Sequence, residues 1–324
     1  MSSVITTATP APGRGSDPSP AAGGARRRPL LTRVRPWLLL GPSLIVLGVL
    51  LLWPLVQVVL LSFQNYGIRE IRKGSTNFIG FDNYVEAVTD PQLWTVVVPN
   101  TVGFAVVSVL TTVAFGTLVA LLLARLGLVW RTIVGSAIMI AWAMPAVTGT
   151  YVWTWIFDAD RGIFNTWMQG LGLIDGPTNW FTNRWAFYAI VLLNVVHHGF
   201  PFVAITVLAG LLGVSKEMLE AAEIDGAGAW RRFWKIIFPT LKPVFSVVII
   251  LSTIWDFKVF TQVFLMPGGA GSNRSVLNLG VWSYVESFGQ NRYGFGSALA
   301  VLLTLVLLVI TVIYIRTLLK EDQL

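Results

Sequence analysis

Long apolar stretches alternate with short polar ones along this chain. Six nearly uncharged runs, approximately 37–61, 99–124, 132–157, 185–212, 244–266 and 296–319, are each long enough for the ~20-residue helix that crosses a bilayer. Within the second run, Ser108, Thr112, Gly116, Ala120 and Ala124 recur every four residues. On a helix they form one small-residue face along which another helix packs closely. Trp37, Trp94, Trp130, Trp153 and Trp185 fall near the ends of runs, where interfacial anchors sit. The pattern predicts an all-α integral membrane protein with six transmembrane helices over residues 37–320. Residues 1–36, rich in Pro, Ala, Gly and Ser, read as a disordered cytoplasmic tail.

Composition agrees with this reading. Of 324 residues, 55% are hydrophobic and 12% charged, about half the charged share of an ordinary soluble domain. The net charge of +7 raises the question of nucleic acid, but its placement answers otherwise. With the tail inside, and Arg316 counted with the C-terminus, the inner segments hold 15 Lys and Arg against 7 outside. That bias puts both termini in the cytoplasm of a multi-pass cell-membrane protein. Arg26, Arg27, Arg28, Arg33 and Arg35 then act as a topological anchor, with lipid as neighbour and no nucleic-acid partner. The chain has no cysteine and only the adjacent His197 and His198, so neither a thiol nucleophile nor a metal site is expected.

The most informative interval is polar and basic, residues 213–243, between the fourth and fifth runs. Ser215 is placed to cap a short helix with Glu217 in its first turn. Gly226 is placed to end that helix in the left-handed conformation. A second amphipathic helix, about 229–237, is expected to run until Pro239 stops it.

This interval resembles the EAA loop of ABC-importer permeases, whose pattern reads roughly E-A-A-x-x-D-G-A, then F-x-x-I, then P-x-x-x-P. Glu220, Ala221, Ala222, Asp225, Gly226, Ala227, Phe233, Ile236, Pro239 and Pro243 occupy the matching places. Phe78, Gly80, Asn83, Tyr84, Asp90 and Pro91, with Asn100 and Thr101, resemble a segment of the maltose permease F-like subtype. Leu265–Gly269 resembles its L-T-x-G-G segment but carries Met-Pro where Thr is common. The resemblance covers about 37–320. It implies a cytoplasmic EAA-type coupling helix that docks an ATPase, with Glu220 and Asp225 pairing to basic groups and the alanines permitting close approach. It also implies a second permease, two ATPase subunits, an extracytoplasmic solute-binding protein, and a sugar or sugar-like solute.

The chain has no G-x-x-x-x-G-K-[ST] loop to cradle phosphates. No cofactor is therefore expected on it, ATP and Mg belong to the partner ATPases, and the chain is a transport subunit rather than an enzyme. Ionisable and polar groups inside the spans are the candidates for a solute path: Asn194, His198, Asp256, Lys258 and Gln262. In a continuous fifth span Asp256 lies near mid-membrane, with Lys258 about 200° round the helix. Pro201 frees the carbonyl of His197, where the fourth span is expected to bend. The rival reading is a proton-driven secondary transporter using Asp256 and His197/His198. No internal repeat of the kind such carriers show is visible among the six spans.

Overall fold

The computed structural model describes residues 40–321, with side chains to 316; the expected tail, its arginines and Trp37 lie outside them. The chain divides at Pro54 into two units, Met1–Pro54 and Leu55–Leu324. The described residues contain no β-strand, only one isolated bridge between Gln64 and Phe78. Five helices are long and apolar enough to cross a membrane, and a bent pair supplies a sixth crossing if counted as one.

In chain order the first is α1 (Leu40–Ser62). Short helices α2 (Ile68–Lys73) and α3 (Asp82–Thr89) follow. The motif around α3 fastens to the end of α1: buried Asn83 donates to Ser62 O at 2.9 Å and Gln64 O at 3.0 Å, and the Tyr84 hydroxyl meets Ser62 Oγ at 2.6 Å.

The second span differs from the expected 99–124. It is α4, Leu93–Arg125, 33 residues long. The helix begins before Pro99 and runs through it, because two wide, π-type turns, Leu93–Val97 and Pro99–Gly103, open the hydrogen-bond ladder there. The Arg184 guanidinium covers the loosened carbonyls, reaching Thr95 O and Val96 O at 3.4 Å each. Asn100 is therefore inside the helix. It accepts from Arg184 Nε at 2.8 Å and donates to Ser275 O and Leu277 O, each at 2.9 Å. Thr101 accepts from Leu279 N at 2.9 Å.

The third span, expected as one helix over 132–157, is broken. It consists of α5 (Leu128–Trp142) and α6 (Ala146–Ile156), meeting at 91°. Pro145 is the cause: it offers no N–H, and its ring bars the residue before it from the helical conformation. At the other end of α5, Arg131 reaches back to cap α4, donating to Leu123 O, Ala124 O and Leu126 O at 3.1, 3.0 and 2.8 Å.

Helix α7 (Ile163–Gly170) precedes α8 (Arg184–Leu211), which Asn183 caps and which stays helical through Pro201. The small-residue face of α4 packs on α8, the most extensive helix pair. Contact is closest at Gly116, where a β-carbon would stand 2.5 Å from Val203 Cβ. After α9 (Lys216–Ile224) and α10 (residues 229–240), the fifth span is interrupted rather than continuous. Its first part, α11 (Lys242–Phe257), ends one residue past Asp256; Lys258–Phe260 leave the helix; α12 (Thr261–Leu265) follows.

Helix α13 (Leu279–Tyr284) and a wide turn, Val285–Gly289, lead to α14 (Tyr293–Glu321). Buried Glu286 closes this end of the bundle. It accepts from Trp282 Nε1 at 3.2 Å and from Arg292 Nη1 at 3.3 Å, and Arg292 also reaches Glu86 of α3 at 2.5 Å. Two apolar cores result. One gathers Phe187, Met266, Trp282 and Leu299; the other gathers Leu123, Val203, Val207, Phe245 and Val248, next to the segment 213–243.

Candidate functional site

The segment 213–243 folds as two short helices joined at an elbow. Ser215 Oγ accepts from Met218 N at 3.3 Å and starts α9, with Glu217 in the first turn. Its end closes with two bonds, Gly226 N to Glu223 O at 3.0 Å and Ala227 N to Ala222 O at 2.9 Å. That six-to-one pattern requires a left-handed residue, and Gly226 supplies φ +78. Across the elbow Arg232 Nη1 and Glu223 Oε2 pair at 2.5 Å.

The second helix does not stop at Pro239. Helix α10 continues through it to Thr240, because the wide turn Phe233–Ile237 precedes the proline and removes the need for its N–H. The chain turns only at Leu241 (φ −93, ψ 9) and enters α11 directly. A ladder of rings, Trp230–Trp234, Trp234–Phe238 and Phe238–Phe245, with centroids 5.6, 5.0 and 5.2 Å apart, runs from the elbow into α11.

The two faces of this unit differ. Glu220, Ala221, Asp225 and Gly226 are exposed, Ala222 and Ala227 half-buried, and Ile224 is 87% exposed. Leu219, Phe233 and Ile237 instead pack on the core around Val207 and Phe245. The motif residues face outward while their neighbours are anchored inward. The arrangement presents a shaped surface tied to the membrane helices; it holds no constellation for bond-breaking chemistry.

The five residues proposed for the solute path lie on α8, α11, α12 and the break between the last two, and none of their hydrogen bonds joins one to another. Asn194 is buried in α8 and reaches Thr150 Oγ1 of α6 at 3.5 Å; Gln262 is buried in α12. His198 is half-buried, while His197 is exposed beside Trp153 and Phe200, with ring centroids 6.0 and 6.4 Å away. Asp256 is buried against α4, facing the Ser108 hydroxyl, whereas Lys258 is exposed beyond the end of α11. Asp256 and Lys258 point to different surroundings, as their spacing implied. Among the described residues, no group of three or more His, Cys, Asp or Glu could hold a metal ion.

Sequence reasoning missed Arg184, Arg131 and the Arg292 pairings. Arg184 and the Arg292–Glu86 pair join segments far apart in sequence, whereas Arg131 with Ala124 and Arg292 with Glu286 are seven and six residues apart and carried a local signal.

Residues 113–321 match the family model described as "Binding-protein-dependent transport system inner membrane component". The chain is 38% identical over 304 residues to the diacetylchitobiose uptake system permease protein DasB of Streptomyces coelicolor, covering 93% of this chain and 92% of that protein. It is 33% identical to the trehalose/maltose transport system permease protein MalF of Thermococcus litoralis, over 74% of this chain and 79% of that one. In fold it is similar to a chain of a bacterial ABC transporter involved in the import of the acidic polysaccharide alginate. The TM-score is 0.75 at 19% identity, covering 90% of this chain and 98% of that chain. The chain belongs to the family of inner membrane components of binding-protein-dependent transport systems.

Proposed function

We propose that this chain forms half of the pathway of an ATP-driven importer for a sugar or sugar-like solute. A second permease completes the pathway, two ATPase subunits carrying ATP and Mg dock on residues 213–243, and an extracytoplasmic binding protein delivers the solute. The observation that carries this reading is the two-faced elbow. Its motif face, Glu220, Ala221, Asp225 and Gly226, is free for a partner, while Leu219, Phe233 and the ring ladder reach into the core at Phe245. Movement of a docked ATPase would therefore shift α9, α10 and α11 together as a lever. The carbohydrate class rests on relatives named for diacetylchitobiose and for trehalose/maltose.

The proton-driven alternative has less support. Asp256 faces Ser108, and His197 lies against Trp153 and Phe200, so no hydrogen-bonded relay joins them. The test is solute uptake with the two energy sources separated. Uptake should persist when an ionophore collapses the proton gradient with ATP kept, and stop when ATP is depleted with the gradient kept. The opposite pattern would replace this reading with the proton-driven one.

The same proposal fixes orientation, with the coupling elbow and residues 125–131 in the cytoplasm. An enzyme reporter inserted in 125–131 should be active only inside, and one near Gly170 only outside. A cytoplasmic reporter at Gly170 would invert the map.

A further inference from the structure

In the orientation proposed above, residues 158–184 and 267–295 lie outside the membrane. Two of their loops meet around a cleft of about 620 Å³, within the size range of small-molecule sites. Asn179, Phe181 and Thr182, just before α8, form one wall. Pro267, Gly268 and Ser272 to Arg274, after α12, form the other.

The walls are fixed from behind. Asn179 Oδ1 accepts from Phe181 N at 3.1 Å, and Asn273 Oδ1 accepts from Ser275 N and Ser275 Oγ at 3.1 and 2.6 Å. The Asn273 amide crosses to Thr182 O at 3.3 Å and ties one loop to the other. At Gly268, φ is +88 and a β-carbon would stand 3.3 Å from Asn273 Cβ, so glycine is what lets the turn fit. Further along the same loop, Asn278 Nδ2 donates to Val259 O at 2.6 Å, which joins it to the break in the fifth span. Discontinuous helices of this kind are where transporters hold solute.

Donors are left over around the cleft. Among the described residues, the Asn179 amide N–H groups, the Ser272 hydroxyl and the Arg274 guanidinium make no hydrogen bond. Glu286 lies 3.8 Å from Arg274 Nη2, too far for a hydrogen bond but near enough to counter its charge. Glu286 does not depend on that contact, being bonded to Trp282 and Arg292. The cleft thus combines uncharged donors with an open guanidinium fork whose charge is already met.

That inventory suits a neutral, hydroxyl-rich solute. Neighbouring hydroxyls on a sugar ring present paired acceptor oxygens to a planar fork, and the amide and the serine can meet others. An anion has less to gain, because Glu286 stands beside the cation. A protein partner fits less well, since such interfaces centre on large aromatic and apolar anchors, and the one ring in the lining, Phe181, is only 4% exposed.

We propose that this cleft is a weak carbohydrate-binding site, the first station on this chain for a neutral sugar arriving at the outer face. The proposal rests on the carbohydrate reading above and adds to it a place outside the spans where the sugar is held.

The absence of cysteine from the chain makes the test direct. The complete complex, with cysteine-free partners, carries either Ser272→Cys in the cleft or Ala270→Cys, exposed in the same loop but outside the lining. Labelling by a membrane-impermeant thiosulfonate is timed with maltose, trehalose or diacetylchitobiose, and with betaine as the osmotic control. Binding protein is left out. At about 50 mM, a sugar held with a Kd of about 5 mM slows labelling about tenfold. At least one of the three should do so at 272, saturably, leave 270 unchanged, and lose its effect when Arg274→Gln is added. If none protects 272 while the parental complex takes one of them up with ATP, the cleft holds no sugar and the importer reading stands. If none protects and none is taken up, the carbohydrate reading loses its support together with the proposal. Protection by unloaded binding protein, with no effect of sugar, would make the cleft a protein-docking surface instead.

Discussion

Replacing Gly116 with leucine should prevent α4 and α8 from packing. A β-carbon there meets Val203 Cβ at 2.5 Å, Val203 Cγ1 at 2.6 Å and Phe200 O at 3.0 Å. The backbone oxygen cannot swing aside, and Val203 is fully buried with its own χ1 restricted. The helices must part along their most extensive contact, which also loosens the core around Leu123 and Val207. Overpacking of this kind costs about 3 kcal/mol or more, enough to lower the melting temperature of the purified chain by roughly 5–10 °C. Gly127→Leu is the reference: nothing lies within 4 Å of a β-carbon there and φ is −59. The native tryptophans report both transitions. Equal melting of the two variants would mean that the small-residue face of α4 is not a packing surface.

How much of this was legible beforehand depended on distance along the chain. The coupling elbow was readable almost residue by residue, since its parts act locally: Ser215 caps three residues ahead, and Gly226 receives the end of the helix it closes. The small-residue face was readable because helical periodicity puts positions 108 to 124 on one side whatever the partner.

What failed did so at prolines and in long-range pairings. Apolar continuity hid the break at Pro145, Pro239 was read as a helix end, and the second run was begun only at residue 99. In fact the wide turns around them let the helices continue, and Arg184 covers carbonyls freed near Pro99. Whether a proline breaks a helix depends on what satisfies the carbonyls it frees, and that partner is remote in sequence. The setting of Asp256 was hidden for the same reason. Its depth followed from counting, but Ser108, far earlier in the chain, decides that it is enclosed. The Arg292 link to Glu86 crosses from the turn before α14 to α3 and leaves no periodic trace.

The second large effect is expected at Gly226, and it differs in kind. No atom lies within 4 Å of a β-carbon built there, so valine meets open space in this chain. The penalty is in the backbone: φ is +78, and a side chain in the left-handed region costs about 1–2 kcal/mol. A β-branched residue is especially ill suited to it. The strained turn relaxes by unwinding the two bonds that close α9, from Gly226 and Ala227, and so reorients Glu220, Ala221 and Asp225. The core keeps its contacts, and the isolated chain should melt close to the parent. A misplacement worth 1–2 kcal/mol at a docking surface changes the docked population by about 5- to 30-fold. Gly226→Val should thus reduce ATPase docking, or separate hydrolysis from uptake, by that order. Solute delivery at the opposite face should be unaffected.

The decisive measurement is made on the reconstituted complex of two permeases, two ATPases and binding protein. Subunit stoichiometry, hydrolysis stimulated by loaded binding protein, and solute taken up per ATP are compared for the parent and Gly226→Val. The account predicts a permease that is folded and inserted, with ATPase lost from the complex or hydrolysis no longer followed by uptake. Full stoichiometry with parental stimulation and uptake would contradict it and reduce residues 213–243 to a connector.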